Sequence, residues 1–216
     1  ENLNNISEHS LILENNNYFS KRINEKRIAI FLDRDGVIIK DMHYLSNPEE
    51  VILELGIKNL MKFAFDNCIP VFVVTNQSGI ARKKFTWNDY FNVTNRMLEI
   101  IGSPNPIVGI YSNCHIKAKN NNWRKPNPGM ILKAAEQFEI NLKESFLIGD
   151  RITDLQSGVN AGIGNVVHLL TGHGIEERDE IKKNVKNKKF FFLNHKSSVI
   201  YLLDNLLDFP SYLINS

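Results

Sequence analysis

Apolar residues along this chain follow two periods. Short, nearly unbroken apolar runs alternate with stretches in which apolar positions recur every three or four residues. The runs cover residues 27–32, 69–74, 107–112, 145–149 and 165–170, with a sixth candidate at 190–193. Runs this short and rich in β-branched residues predict strands buried on both faces. Helical spacing covers 56–64, 87–101, 130–138 and 154–161, and Ser197 or Ser198 could cap a last helix through Leu207. Thr86 stands before the 87–101 segment as an N-cap, with Asp89 three residues later as an imperfect capping-box partner. Strand alternating with helix implies parallel βαβ units with right-handed crossovers, and so an α/β fold with a doubly wound parallel sheet.

The first 26 residues break this pattern. They are polar and rich in asparagine, with one apolar patch at Leu11-Ile12-Leu13. An extension with weak structure is expected over 1–26, followed by a single domain over 27–216. The formal net charge of +2 is too small to imply nucleic acid. The densest basic run, 182–189, is expected to be a solvated surface loop. No apolar run reaches the roughly 18 residues of a membrane helix, so no membrane partner is expected. Cys68 and Cys114 are the two cysteines, a usage that suits a reducing compartment and a cytoplasmic protein. The start lacks the basic and apolar regions of a signal peptide, and also an initiator methionine. A monomer is expected.

Four predicted strands end in small, polar or charged residues, and a doubly wound sheet gathers such ends at one edge. After the first come Asp33 and Asp35, two carboxylates at i, i+2 that an extended chain points to one side. Asp150 follows the fourth strand. Three carboxylates with no paired His or Cys select a hard cation, Mg²⁺ rather than Zn²⁺. Thr75 and Asn76 add a hydroxyl, an amide and turn N–H groups, and Lys125 adds a positive charge near a helix start. Together these make a socket for a phosphoryl dianion. One carboxylate can attack phosphorus, and a second acid can protonate the leaving oxygen and then deprotonate water.

Four segments carry a family resemblance: Asp33-Arg34-Asp35-Gly36-Val37, Thr75-Asn76-Gln77-Ser78-Gly79-Ile80, Arg124-Lys125-Pro126-Asn127-Pro128-Gly129 and Gly149-Asp150-Arg151-Ile152-Thr153-Asp154. In order and spacing they resemble the motifs of the haloacid dehalogenase-like phosphatases. The resemblance is closer to the heptose 1,7-bisphosphate 7-phosphatases and related histidinol-phosphatases, and covers about residues 27–193. It implies a Rossmann-like domain with little or no cap, and Mg²⁺-dependent hydrolysis of a phosphorylated sugar through an aspartyl-phosphate. The substrate it favours is the 7-phosphate of D-glycero-D-manno-heptose 1,7-bisphosphate. Histidinol phosphate is the alternative substrate, and a phosphosugar-binding module without turnover is the alternative class. By resemblance Asp33 is the nucleophile and Asp35 the general acid/base. Asp33, Asp35 (through its carbonyl) and Asp150 hold the metal, while Thr75 and Lys125 hold the phosphoryl group. Asp154 stands behind the ligands or caps its helix. Substrate contacts are implied for Arg34, Asp41, Met42, His43, Tyr44, Asn76, Gln77, Ser78, Arg124 and Arg151; Arg82 is as easily a surface arginine.

Many relatives carry a zinc loop before the Arg-Lys-Pro motif, with Cys-x-His and Cys-x-Cys pairs. Aligned on that motif, this chain has Asn113, His115, Asn121 and Trp123 at those positions. One ligand, or two with the adjacent Cys114, cannot close a tetrahedral site, so no structural zinc is expected.

Overall fold

The computed structural model describes residues 10–14, 25–117, 122–186 and 198–209. Its seven described strands are β1 (Ser10–Glu14), β2 (Ile30–Leu32), β3 (Val71–Asn76), β4 (Ile107–Asn113), β5 (Phe146–Gly149), β6 (Asn165–Leu169) and β7 (Val199–Leu203). They form one sheet in the order β1-β4-β3-β2-β5-β6-β7. All neighbours are parallel except β1, which runs antiparallel to β4. The order reverses about β2, so the chain leaves β2 at the crevice where open α/β sheets bind ligands.

Alternation along the strands explains how both faces are covered. Ile30 and Leu32 of β2 point into one core with Val71, Val73, Phe146 and Ile148. Helices α1 (Ile57–Asp66) and α3 (Trp87–Ile101) close that face through Leu60, Met61, Val93 and Met97. Phe31 points the other way, with Phe72, Val74 and Leu147. There it meets α4 (Gly129–Phe138), α5 (Ile152–Ala161) and α6 (Gly174–Lys186) through Met130, Ile131, Leu155, Val159 and Ile181. A short helix α2 (Ser78–Ala81) follows β3 directly. Between β2 and α1 the chain forms a loop with isolated β-bridges at Asp35–Ile39 and Ile39–Leu53 and a single 3₁₀ turn at Pro48–Glu50, with no inserted cap.

The five strands expected over 27–170 and the helices expected over 56–161 form within a few residues of their expected bounds. Thr86 and Asp89 make a complete capping box, each side chain bonding the other's backbone N–H. Three expectations are corrected. The apolar patch in the extension is a strand: Ser10 to Glu14 pair residue by residue with Asn113 to Gly109, covering the edge that β4 would otherwise expose. The expected final helix is instead β7, because Val199-Ile200-Tyr201-Leu202-Leu203 favours a pleated surface and pairs with all five residues of β6. Part of the basic run lies on α6 rather than in a loop, with Lys182 and Lys183 on its exposed face. The candidate strand at 190–193 lies outside the described residues.

Candidate active site

The carboxyl ends of β2, β3 and β5 converge on a cleft of about 330 Å³. Asp33 sits one residue past β2, its N–H still bonded to Ile148 O in the ladder with β5 (3.0 Å). Asp150 sits one residue past β5, and Asp154 lies in the first turn of α5. Carboxylate oxygens of these three residues come within 4.8 Å of one another, and all three residues are buried.

Lys125 enters this cluster from the loop before α4. Its backbone is clamped to the end of β3: Asn76 Oδ1 accepts from Lys125 N (3.1 Å) and Asn76 Nδ2 donates to Lys125 O (3.2 Å). Its Nζ donates to Val74 O (3.0 Å) and pairs with Asp33 Oδ1 (3.0 Å) and Asp154 Oδ1 (2.6 Å). Burial alone would favour the neutral amine, but the two carboxylates push Lys125 up to about 12. One ammonium faces three buried carboxylates, so negative charge is in excess. Burial first, then neighbouring carboxylates, pushes the Asp150 carboxyl up to about 9 and raises Asp33 as well.

The arrangement fits a hard cation. Asp150 Oδ2 accepts from His173 N (2.8 Å), whereas Asp150 Oδ1 is buried without a hydrogen-bond partner. On Asp33, Arg34 N–H (2.7 Å) and Lys125 both meet Oδ1. Asp154 Oδ1 likewise has no hydrogen-bond geometry, but the Lys125 ammonium lies 2.6 Å from it, and Oδ2 accepts from Arg151 N (3.0 Å) as the α5 cap. Asp33 and Asp150 therefore keep more ligand capacity than Asp154. Among the described residues this is the one cluster of three or more His, Cys, Asp or Glu groups able to hold a metal ion.

The Asp35 carboxylate turns aside from this cluster. Arg34 grips both its oxygens through Nε and Nη2, and Gln77 Nε2 donates to Asp35 Oδ2 (2.9 Å). Arg34 is itself buried, its guanidinium 4.9 Å from the centre of the Tyr90 ring. Gln77 also donates to Thr75 Oγ1 (2.9 Å); Thr75 is buried and, unlike Lys125, does not line the cleft. Asp41, His43, Tyr44, Asn76, Gln77, Ser78, Arg124 and Arg151 line the cleft, whereas Met42 does not and is exposed. Arg124 donates to His115 O (2.6 Å), and Arg151 pairs with Glu177 (3.2 Å). Burial, then the nearby charges of Arg82 and Arg151, lower the Arg124 pKa; one wall of the cleft is cationic while its floor is acidic. The sequence reading missed Leu45, Gly79, Phe85, Thr153 and His173, which also line the cleft. Gly79 and Thr153 stand inside two of the four family segments. His173 lies beyond the last one and had no local signal.

Comparison with known proteins agrees with this geometry. Residues 122–195 match the Hydrolase_like family model, described as HAD-hydrolase-like. A D-glycero-alpha-D-manno-heptose-1,7-bisphosphate 7-phosphatase of Campylobacter jejuni is 36% identical over 170 residues, covering 77% of this chain and 96% of that protein. A D-glycero-beta-D-manno-heptose-1,7-bisphosphate 7-phosphatase of Helicobacter pylori is 38% identical over 144 residues, covering 66% of this chain and 83% of that protein. The crystal structure of D,D-heptose 1,7-bisphosphate phosphatase from B. bronchiseptica, complexed with magnesium and phosphate, superposes with a TM-score of 0.68 at 25% identity. It covers 83% of this chain and 93% of its own. With its strand order, its buried carboxylate–lysine cluster and these relatives, the chain belongs to the haloacid dehalogenase-like phosphatases, in the family of the heptose-1,7-bisphosphate 7-phosphatases.

Proposed function

We propose that this phosphoric monoester hydrolase removes the 7-phosphate of D-glycero-D-manno-heptose 1,7-bisphosphate, with Asp33 as nucleophile. The observation that carries this reading is the buried convergence of Asp33, Asp150 and Lys125 at the strand ends, beside a cleft with a cationic wall. Both protein contacts of the Asp33 carboxylate fall on Oδ1, so Oδ2 is the oxygen available to attack phosphorus. In-line attack forms an aspartyl-phosphate and expels the sugar oxygen, which needs a proton. Asp35, once its carboxyl group leaves the Arg34–Gln77 grip and takes a proton from solvent, supplies that proton and then, as the carboxylate, takes one from the attacking water. Lys125, already charged, stabilises the negative charge that builds on the equatorial phosphoryl oxygens. Asp33 and Asp150 would hold Mg²⁺, with the Asp35 carbonyl as a third oxygen. When bound, the ion offsets the repulsion between the nucleophile and the incoming dianion. Arg124 and Arg151 suit the anionic, hydroxyl-rich remainder of a sugar bisphosphate. Work as a monomer in the cytoplasm, without nucleic acid or structural zinc, completes this reading.

Phosphate release tests it. The α- and β-anomers of the heptose bisphosphate, histidinol phosphate and an aryl phosphate are compared with Mg²⁺ and with chelator. A heptose bisphosphate is expected to be the best substrate, and Asp33→Asn is expected to lose about 10³-fold or more in turnover while remaining folded. Preference for histidinol phosphate, or substantial turnover by the Asn variant, overturns the corresponding part.

A further inference from the structure

The turn after β6, Thr171-Gly172-His173, is woven into the site although it lies outside all four motifs. Strand order explains its position: β2 and β6 flank β5, so the loops leaving them are neighbours above Asp150. Thr171 Oγ1 donates to Gly36 O, 135 residues away in the chain. His173 N donates to Asp150 Oδ2, and the His173 carbonyl accepts from Glu176 N and Glu177 N at the start of α6. Glu177 in turn pairs with Arg151 and accepts from Ile152 N (2.6 Å) at the start of α5. His173 therefore stands on a backbone anchored on two sides.

From that anchor its imidazole reaches the neighbouring loop that leaves β2. His173 Nε2 lies 3.1 Å from Asp41 Oδ2, and its ring centre lies 6.3 Å from that of His43. Asp41 then orders its own loop, since its Oδ1 accepts from His43 N (2.9 Å). Both His43 and Tyr44 hold positive φ values, 54° and 61°, in the turn that this bond closes. Asp41, His43, Tyr44 and His173 all line the cleft.

We propose that His173 is a substrate-positioning residue: its close polar contact with Asp41 Oδ2 braces the 41–44 loop over the cleft, so that this loop meets the sugar rather than the transferred phosphate. The inference rests on the phosphosugar reading above. The brace gives the cleft a polar edge besides its arginines, where Asp41 can accept from a sugar hydroxyl while His173 fixes its orientation. An aryl phosphate has no hydroxyls to place there and should be far less sensitive to the brace.

Steady-state kinetics of the full chain with Mg²⁺ test this, using the best sugar phosphate found for the wild type and an aryl phosphate. His173→Ala is expected to lower the preference for the sugar over the aryl phosphate by about tenfold, mainly through KM, the size expected from losing one positioned polar contact. His173→Gln, which restores an N–H at similar reach, should recover much of the preference. Asp41→Asn combined with His173→Ala should lose little beyond the worse single variant, since the two act as one unit. A preference within twofold of wild type in His173→Ala, or equal losses on both substrates in His173→Ala and His173→Gln alike, overturns the brace. If the best sugar substrate is not a heptose bisphosphate, the substrate assignment fails, while the brace is still judged by the ratio.

Discussion

The ammonium of Lys125 lies 2.6 Å from Asp154 Oδ1, closer than its 3.0 Å approach to Asp33. Asp154 thus does two jobs at once: Oδ1 holds the lysine and Oδ2 caps α5 through Arg151 N. The sequence places Asp154 behind the metal ligands or at the cap of its helix; the geometry shows the cap on Oδ2 and adds the pairing of Oδ1 with Lys125, which no sequence signal indicates.

Replacing Lys125 by Met keeps the length and removes the charge. Three buried carboxylates then face one another without their cation. Turnover is expected to fall about 10²- to 10³-fold, the usual effect of losing a preorganised charge at a developing anion. Breaking a buried pair should also destabilise the fold by about 3 kcal/mol. Urea unfolding at neutral pH, with and without Mg²⁺, checks this; the loss should be smaller with the ion present.

Raised carboxyl pKa values make metal binding proton-linked. Burial and the neighbouring carboxylates push Asp150 up to about 9 and raise Asp33 too, so without a metal cation the cluster binds protons more readily than free carboxyls do. A divalent ion requires the carboxylates charged and must displace those protons. Mg²⁺ affinity is therefore expected to rise with pH between about 6 and 9. Calorimetric titrations in two buffers of different ionisation enthalpy should show net proton release. Identical heats in both buffers would contradict the linkage.

Gly172 has φ +47°, and a Cβ there would stand 2.4 Å from Asp150 Oδ2 and 3.0 Å from the Gly36 Cα. Neither neighbour can retreat easily, since one belongs to the cluster and the other is backbone. Gly172→Ala is expected to cost about 2 kcal/mol in stability. It should also weaken Mg²⁺ binding, because Asp150 must shift. Thermal unfolding and Mg²⁺ titration of the variant test both effects.

His168 is buried beneath the cluster in a fixed tautomer. Arg178 Nε donates to its Nδ1 (2.8 Å), so the other nitrogen carries the proton toward Asp150 O (2.9 Å). Burial, then the Arg178 charge, pushes its pKa down from 6.5 to about 4. The unfolded chain therefore binds more protons than the folded one between these values, and stability rises with pH across that window. The contribution is complete above about pH 6.5 and lost as pH falls to about 4, on the order of 3 kcal/mol. His168→Gln should flatten that part of the stability curve. An unchanged slope would show that the histidine is protonated in the native state.

Much of this protein is legible without coordinates. The apolar runs and helical spacings locate most strands and helices, because burial on two faces or one stripe imprints a local period. The Thr86–Asp89 cap is similarly local. The order of the acidic, hydroxyl and lysine segments places the chemistry at strand ends. Period alone fails where tertiary pairing decides: 199–203 is apolar enough for helix or strand, and β6 settles it as a strand. Residues 11–13 become structured because β4 offers an edge.

What the sequence by itself determined is the alternating α/β architecture and the set of groups at one edge of its sheet. The tertiary structure alone decided how those groups are shared. Arg34, adjacent to the nucleophile, is buried against Tyr90 and holds Asp35 aside. Asp154 takes the lysine, and His173 comes from beyond the last motif to brace Asp41. The physical reason is that a chain's periodicity records which face of an element is buried, whereas pairing of charged side chains depends on which loops the sheet order makes neighbours.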